Sequence, residues 1–189
     1  MKTLTLGMLI SGSGRTLRNF IELIKTGRLP ATIAIVVSDR EGVKGLDYAR
    51  EAGIPTAVIP RKGSPAEAFS QRITETLAGA NVDLVVNAGF LSLWRFPASF
   101  NGRVINIHPA LLPEFGGKGF YGHHVHQAVL DAGRFESGCT VHFCDHQYDT
   151  GPIILQRKVP IMPDDTPDAL AERVLEAELT AYPEAIWML

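Results

Sequence analysis

The stretch Leu4-Thr-Leu-Gly-Met-Leu-Ile-Ser-Gly-Ser-Gly-Arg-Thr16 decides the fold, because it joins three local signals within one short segment. The residues from Leu4 to Ile10 form an apolar run of strand length, and a glycine-rich turn follows at once. A helical pattern then continues from Thr16 to about Thr26. A strand, a turn and a helix in this order form the repeating unit of proteins built on a parallel sheet. The segment therefore predicts an α/β fold.

The same unit recurs along the first two thirds of the chain. Further apolar strands are predicted at 31–37, 55–59, 82–88 and 104–107, and helices at 43–52 and 64–78. The third helix opens on Ser64-Pro-Ala-Glu67, which fits a capping box with proline at the first helical position. Nearly continuous apolar strands that alternate with helices indicate a parallel sheet covered on both faces. We therefore predict a doubly wound arrangement.

The last third of the sequence has a different character. A glycine-rich segment at 116–122 precedes a predicted helix at 123–132 and two predicted strands at 138–143 and 153–161. Thr166-Pro167 opens a final helix whose apolar positions follow a 3.6-residue period. We therefore predict a single domain over residues 1–189, with a doubly wound, mostly parallel sheet, helices on both faces and extra C-terminal edge strands.

Composition and charge exclude several classes of protein. A chain of 189 residues with 46% hydrophobic content has enough apolar material for one globular domain. A net charge of −2 argues against binding to nucleic acid through phosphate contacts. No apolar run is long enough to cross a bilayer, and Met1-Lys2 leads into a strand instead of a signal peptide. Cys139 and Cys144 are predicted on opposite faces of a strand, so we expect a reduced, soluble, cytoplasmic protein.

Val104-Ile-Asn-Ile-His-Pro-Ala-Leu-Leu-Pro113 places two polar side chains at the end of a predicted strand. Asn106 and His108 are two residues apart, so a strand directs both to the same face. Pro109 lacks a backbone donor and ends the strand. An amide beside an imidazole can hold a carbonyl oxygen while a proton moves. From this segment alone, a buried structural pair and a catalytic pair are equally good interpretations.

The turn Ser11-Gly-Ser-Gly-Arg-Thr16 is a candidate phosphate site. Its backbone amides precede a helix N-terminus, and Arg15 and Thr16 supply further donors. Leu17 stands where a dinucleotide fingerprint would have its third glycine. An ordinary strand–helix turn is the structural alternative, but the position after a strand favours a phosphate.

Two more segments are candidates for ligand contacts. In Asn87-Ala-Gly-Phe-Leu-Ser-Leu-Trp94, a glycine after a strand lets a ligand approach the backbone, and the apolar residues after it could line a slot for a flat ring. Core packing explains these apolar residues equally well. In Asp145-His-Gln-Tyr-Asp149, a carboxylate could reach an imidazole, fix its orientation and raise its pKa. A solvated turn is the commoner role for such an aspartate.

A metal site is the less favoured interpretation of the histidines. Five of them cluster with Asp145, namely His123, His124, His126, His142 and His146. None has the spacing of an established zinc motif. We therefore expect no metal.

These segments together resemble the folate-dependent formyltransferases over essentially the whole chain. The resemblance rests on 11–16, Ala88-Gly-Phe90, Asn106-Ile-His-Pro-Ala-Leu-Leu-Pro113, Val141-His-Phe143 and Asp149-Thr-Gly-Pro-Ile-Ile-Leu-Gln156. The glycine-rich first turn and the single-domain length resemble the phosphoribosylglycinamide formyltransferases within that group. The resemblance implies transfer of a formyl group from 10-formyltetrahydrofolate to the amine of 5-phosphoribosylglycinamide in de novo purine (IMP) biosynthesis, with a monomer or homodimer as the active form.

The resemblance also implies roles for individual residues. It implies catalytic roles for Asn106, His108 and Asp149, with Asp149 keeping His108 charged. Contacts with the phosphoribosylglycinamide are implied for Gly14, Arg15, Thr16 and Glu178. Contacts with the folate are implied for Leu91, Ser92, Leu93, Trp94, Asn106 and Asp145. Two positions depart from some relatives, since Ser92 replaces a basic residue and Ala66 replaces an arginine that meets the folate tail.

Two other functions compete with this interpretation. A formyltetrahydrofolate hydrolase would share the Asn106, His108 and Asp149 set but resembles relatives with an extra N-terminal domain. A non-catalytic nucleotide-binding module would explain the first turn, but it would leave the Asn106, His108 and Asp149 set without a reason. We therefore expect the transferase.

Overall fold

The computed structural model describes residues 3–189. They fall into two compact units, the first ending at Ile105 and the second spanning Asn106–Leu189. Within the described residues there are seven strands and five α-helices. The strands are β1 (Leu4–Ile10), β2 (Ala31–Ser38), β3 (Thr56–Val58), β4 (Leu84–Asn87), β5 (Val104–His108), β6 (Glu136–Phe143) and β7 (Ile153–Pro160). The helices are α1 (Arg15–Lys25), α2 (Lys44–Glu51), α3 (Ala66–Gly79), α4 (His123–Asp131) and α5 (Pro167–Trp187).

The first unit is built on parallel strands in the order β3-β2-β1-β4-β5, and the boundary between the units falls within β5. β1 pairs in parallel with both β2 and β4, and β2 pairs in parallel with β3. The apolar run of β1 is buried, from Leu6 to Ile10. The alternating strands and helices confirm the α/β class expected from the sequence.

One glycine of the first turn is required by the backbone. Gly14 adopts φ +70° as the residue before α1, a conformation in which a side chain is strained. A Cβ atom at Gly14 would also collide with the Cα atom of Gly45 in α2. The glycine therefore allows α1 to begin at close range to α2.

The second unit holds the end of β5 together with β6 and β7, in that order. β6 and β7 pair antiparallel, from Glu136 opposite Pro160 to His142 opposite Ile153. This pair confirms the extra C-terminal strands. α5 begins where the sequence predicts, because the Thr166 hydroxyl accepts a hydrogen bond from the Ala169 amide at 3.2 Å. α5 packs against β6, β7 and α4.

The predicted capping box of the third helix is wrong. Helix α3 begins at Ala66, with Pro65 as its N-cap residue and no side-chain cap. The Ser64 hydroxyl instead donates to the carbonyl oxygen of Pro60 at 2.9 Å. The Ser64 side chain therefore bonds to the loop before it and not to the helix after it. The spacing of serine and glutamate in the sequence does not distinguish between these two partners. A short 3-10 helix at Ala98–Phe100 was not predicted from the sequence.

Two further properties concern residues 3–189 as described. No α-helix among them combines the length and the apolar character that a membrane crossing requires. Neither Cys139 nor Cys144 forms a disulfide there. Burial raises the pKa of the Cys139 thiol to about 12, and the nearby charge of Glu178 adds to this effect.

His126 in α4 is a buried imidazole that makes folding sensitive to acid. Its side chain is only 4% exposed, and its Nδ1 atom has no hydrogen-bond partner among the described residues. Burial lowers the pKa of His126 from 6.5 to about 4, and the charges of His123 and His108 lower it further. Below pH 6.5, His126 therefore binds a proton in the unfolded chain, while in the folded chain it stays unprotonated until the pH is near its lowered pKa.

We expect the free energy of unfolding to fall as the pH drops from 7 to 4, with His126 contributing about 3 kcal/mol of that loss. The variant His126→Gln removes this titration, so its stability should depend less on pH over the same range. Urea denaturation at each pH measures the effect. The matched control is His124→Gln, at an exposed neighbour on the same helix. Equal pH dependence in wild type and His126→Gln would contradict the assignment.

Candidate active site

The strand β5 delivers Asn106 and His108 to one place in the second unit. The strand ends at His108, and Pro109 follows it, as the sequence predicts. The His108 side chain is buried, with 3% of the residue exposed. A buried imidazole needs partners for its ring nitrogens, and these partners define the site.

Both ring nitrogens of His108 face an acceptor. The Nε2 atom lies 2.7 Å from the carbonyl oxygen of Phe115, and the Nδ1 atom lies 3.5 Å from Oδ2 of Asp149. Because a carbonyl oxygen only accepts, Nε2 carries the proton of the neutral ring. A second proton would sit on Nδ1 and face the Asp149 carboxylate. The site is therefore arranged to receive one proton on His108.

The charge state of His108 differs from the expectation of the sequence analysis. Burial is the largest influence and lowers the pKa of His108 below its ordinary 6.5. Asp149 and the Phe115 carbonyl act in the opposite direction, and the charge of His142 adds to the lowering. The expectation that Asp149 keeps His108 charged is therefore wrong for the free protein, because burial outweighs the carboxylate. The imidazole is neutral at pH 7.

Asp149 is held in a backbone conformation that is uncommon for a residue with a side chain. Its φ is +58°, and its Oδ2 atom accepts a hydrogen bond from the Gly117 amide at 2.9 Å. Its Oδ1 atom lies 3.5 Å from Nε2 of His142. Burial raises the pKa of Asp149, but the His142 and His108 rings and the Gly117 amide together lower it below its usual value. Asp149 is therefore ionised at neutral pH.

His142 is a member of this cluster that the sequence analysis did not select. Its Nδ1 atom lies 2.9 Å from the carbonyl oxygen of Phe143, and its Nε2 atom lies 3.3 Å from Nδ2 of Asn106. A carbonyl oxygen only accepts, so Nδ1 carries the proton of the neutral ring and Nε2 accepts from the Asn106 amide. The ring therefore orients the Asn106 amide. From the sequence, His142 was a candidate only for a metal site. The feature that could have identified His142 as a site residue is its position in a strand directly beside β5.

The loop after β6 owes its shape to a second carboxylate. Asp145 Oδ1 accepts from the Gln147 amide at 2.8 Å, and both Asp145 oxygens accept from the Thr150 hydroxyl at 3.0 and 2.8 Å. A Cβ atom at Gly151 would collide with the Phe143 carbonyl. Asp145 therefore closes the loop that presents Asp149. The predicted contact between Asp145 and the folate stays a prediction.

In the first unit, two of the predicted segments lie side by side. The Ser11 amide donates to the Gly89 carbonyl at 3.1 Å, and the Leu91 amide donates to the Ser11 hydroxyl at 2.9 Å. Gly14, Arg15 and Thr16 lie at the start of the 11-residue helix α1. The first unit therefore combines a helix N-terminus with the loop that follows β4.

The four residues predicted to contact the folate differ in what their side chains do. Trp94 is 5% exposed, and its indole N–H donates to the Ser70 carbonyl at 3.2 Å and the Thr74 hydroxyl at 3.1 Å. Its ring therefore belongs to the core. Leu91 is 50% exposed, Leu93 is partly buried, and the Ser92 hydroxyl donates to Oδ2 of Asp39 at 2.6 Å.

Glu178 lies on α5 in the second unit and is partly buried. Its charge acts on the Cys139 thiol, so the carboxylate lies close to β6. Among residues 3–189, no group of three or more His, Cys, Asp or Glu side chains is arranged to hold a metal ion.

Comparison with known proteins identifies the family. The formyl transferase family matches residues 5–186. The chain is 40% identical to "Phosphoribosylglycinamide formyltransferase, chloroplastic" of Arabidopsis thaliana, over 96% of this chain and 63% of that protein. It is 39% identical to phosphoribosylglycinamide formyltransferase of Haemophilus influenzae, over 96% of this chain and 84% of that protein. The crystal structure of glycinamide ribonucleotide transformylase 1 from Symbiobacterium toebii matches with a TM-score of 0.91 and 40% identity, over 97% of this chain and 86% of that one.

Some relatives are much longer than this chain. It is 42% identical to the trifunctional purine biosynthetic protein adenosine-3 of Drosophila melanogaster but spans only 14% of that protein. The match to the family nevertheless runs through both units, from residue 5 to residue 186. The chain belongs to the formyl transferase family.

Proposed function

We propose that this protein transfers the formyl group of 10-formyltetrahydrofolate to the amine of 5-phosphoribosylglycinamide, a step of de novo purine (IMP) biosynthesis. The observation that carries the proposal is the cluster of Asn106, His108, His142 and Asp149 in the second unit. The names of the relatives support the choice of substrates. No relative among these is named as a hydrolase, so the transferase is favoured over formyltetrahydrofolate hydrolase.

The first chemical step is the attack of the glycinamide amine on the formyl carbon. It produces a tetrahedral centre with a negatively charged oxygen. The Asn106 amide would donate to that oxygen, and His142 holds the amide by its Nδ2 atom at 3.3 Å. A positioned donor of this kind contributes several kcal/mol to the stability of the transition state.

His108 would then move the proton. The proton that the amine loses would reach Nδ1, because Nε2 already carries a proton bonded to the Phe115 carbonyl. The tetrahedral centre collapses when a proton reaches the departing folate nitrogen. Asp149, ionised and 3.5 Å from Nδ1, stabilises the imidazolium that forms in between. The products are the N-formylated glycinamide and tetrahydrofolate. Asp149 thus stabilises the positive charge that the His108 ring gains during the reaction.

The remaining residues would bind the two substrates. Gly14, Arg15 and Thr16 at the N-terminus of α1 suit the phosphate, because amide donors and the helix dipole favour an anion there. Glu178 would contact the glycinamide. The folate would lie against Leu91, Ser92, Leu93 and the backbone of Trp94, with Asp145 and Asn106 also in contact.

The function of residues 1–189 as one formyltransferase domain is part of the proposal, and the family match over residues 5–186 supports it. The cytoplasmic location and the monomeric or homodimeric state stay predictions.

The transferase requires its amine substrate, whereas a hydrolase does not. We expect release of tetrahydrofolate from 10-formyltetrahydrofolate only when phosphoribosylglycinamide is present. The absorbance change of the folate measures the rate in both conditions, and a reaction without protein is the control. Equal release with and without the amine would favour the hydrolase.

Arg15→Ala tests the predicted phosphate site. Loss of one charge-assisted contact costs about 1.5–3 kcal/mol, so the KM for phosphoribosylglycinamide should rise about tenfold or more while the KM for the folate changes little. The matched control is Arg72→Ala, at an exposed arginine of α3. An unchanged KM for phosphoribosylglycinamide in Arg15→Ala would remove this turn from the site.

Asp149→Asn tests the role of the carboxylate beside His108. The substitution keeps the shape and removes the charge, so kcat should fall by about two to four orders of magnitude. Without Asp149 the pKa of His108 falls further, and the acid limb of the rate profile should move to lower pH. Asp131→Asn, at an exposed aspartate of α4, is the control. A rate within threefold of wild type would contradict the proposed mechanism.

A further inference from the structure

One residue joins the two candidate binding segments of the first unit. Ser11 belongs to the first turn, residues 11–16, and is only 3% exposed. Its amide donates a hydrogen bond to the carbonyl oxygen of Gly89 at 3.1 Å, and its hydroxyl oxygen accepts one from the Leu91 amide at 2.9 Å. Gly89 and Leu91 belong to residues 88–94, which we call the folate segment. Ser11 therefore holds the folate segment on both sides of Phe90.

The bond to the Ser11 hydroxyl lies just beyond the paired strands. β1 and β4 pair in parallel, and after the end of β4 the Ala88 amide still donates to the Leu9 carbonyl at 2.8 Å. The Ser11 amide adds one more backbone bond, and a side-chain oxygen makes the next one. Because this last bond depends on the hydroxyl, alanine at position 11 would keep the bond to Gly89 and lose the bond to Leu91.

Each of the two segments also has a separate support in the first unit. In the first turn, the Gly12 carbonyl accepts from the Gly45 amide of α2 at 3.2 Å. In the folate segment, the Ser92 hydroxyl donates to Oδ2 of Asp39 at 2.6 Å, and Asp39 is 5% exposed. The first turn is therefore held by α2, and the folate segment is held by the residue that follows β2. Ser11 connects the one to the other.

We propose that Ser11 is a positioning residue that couples the two substrate sites, an inference that rests on the proposed function. A phosphate bound to the amides of the first turn would hold Ser11 in one position. Through its hydroxyl, Ser11 would then fix the Leu91 amide and the backbone against which the folate lies. The folate would bind a segment that is already ordered, so its binding costs less conformational entropy. Because coupling free energies are reciprocal, the folate would tighten the binding of phosphoribosylglycinamide by the same factor.

Isothermal titration calorimetry with tetrahydrofolate measures the coupling, because this folate carries no formyl group and gives no turnover. We expect the Kd of tetrahydrofolate for the wild-type protein to fall about fivefold or more when phosphoribosylglycinamide is saturating. In Ser11→Ala the amides at 12–16 remain, so phosphoribosylglycinamide alone should still bind. The ratio of the two tetrahydrofolate Kd values, without and with phosphoribosylglycinamide, should nevertheless fall to about one in this variant.

Two further variants separate coupling from a purely structural role of a buried serine. Ser11→Thr keeps a hydroxyl at this position and should retain the ratio of the wild-type protein. Ser70→Ala is the matched control, since Ser70 is 5% exposed on α3 and its hydroxyl oxygen accepts from the Arg95 amide at 3.1 Å. This control loses the same kind of bond just beyond the other end of the folate segment. It should lower the melting temperature but leave the ratio unchanged.

An NMR titration of the isotope-labelled wild-type chain with inorganic phosphate tests the same connection without any variant. We expect saturable shifts of the backbone amides at 12–16, together with a shift of the Leu91 amide that gives the same Kd. The Ala80 amide, at the C-terminal end of α3, is the control and should not move.

Three outcomes would overturn the proposed coupling alone. They are a tetrahydrofolate Kd that phosphoribosylglycinamide does not change, a ratio in Ser11→Ala equal to that of wild type, and phosphate shifts at 12–16 that leave the Leu91 amide unmoved. In each of them the substrates or the phosphate still bind, so the proposed function stands. Failure of either substrate to bind the wild-type protein would instead refute the proposed function, and the coupling with it.

Discussion

The contact between the buried His108 imidazole and the Asp149 carboxylate is the interaction on which the chemistry of this protein depends. The two groups are 3.5 Å apart, and their pKa values are shifted so that the ring is neutral and the carboxylate ionised. A neutral ring can take a proton, and the adjacent negative charge reduces the energy of the cation that results. Burial makes this possible, because it is the influence that keeps the ring uncharged beforehand.

Much of the second unit holds these two groups in place. The Phe115 carbonyl fixes one ring nitrogen of His108, and the Gly117 amide fixes Asp149. Both Phe115 and Asp149 have positive φ, so the backbone is strained on each side of the pair. Gly116 lies between these supports, and a Cβ atom there would come within 3.3 Å of the Asp149 Cβ atom and collide with the Leu112 side chain. The glycine-rich segment thus brings its backbone donors and acceptors close to the polar cluster.

The sequence was most informative where a pattern depends on backbone geometry. Apolar strands alternating with helices predicted the α/β fold, and the spacing of Asn106 and His108 in a strand that ends at Pro109 predicted their common position. The partners of individual side chains could not be predicted as well, either locally or between segments far apart in the sequence. The link from Ser64 to Pro60 replaced the predicted cap, and the place of His142 beside Asn106 depends on which strands are neighbours. The charge of His108 was predicted wrongly because burial cannot be read from residue types, and burial outweighs the nearby carboxylate.

The proposed mechanism requires that His108 rests as a neutral imidazole beside an ionised Asp149. NMR titration of the His108 ring in the wild-type protein, with the ring carbon and nitrogen shifts followed against pH, measures this directly. We expect a pKa below the ordinary 6.5, with the neutral ring protonated on Nε2. A pKa at or above 6.5, or a neutral ring protonated on Nδ1, would contradict it.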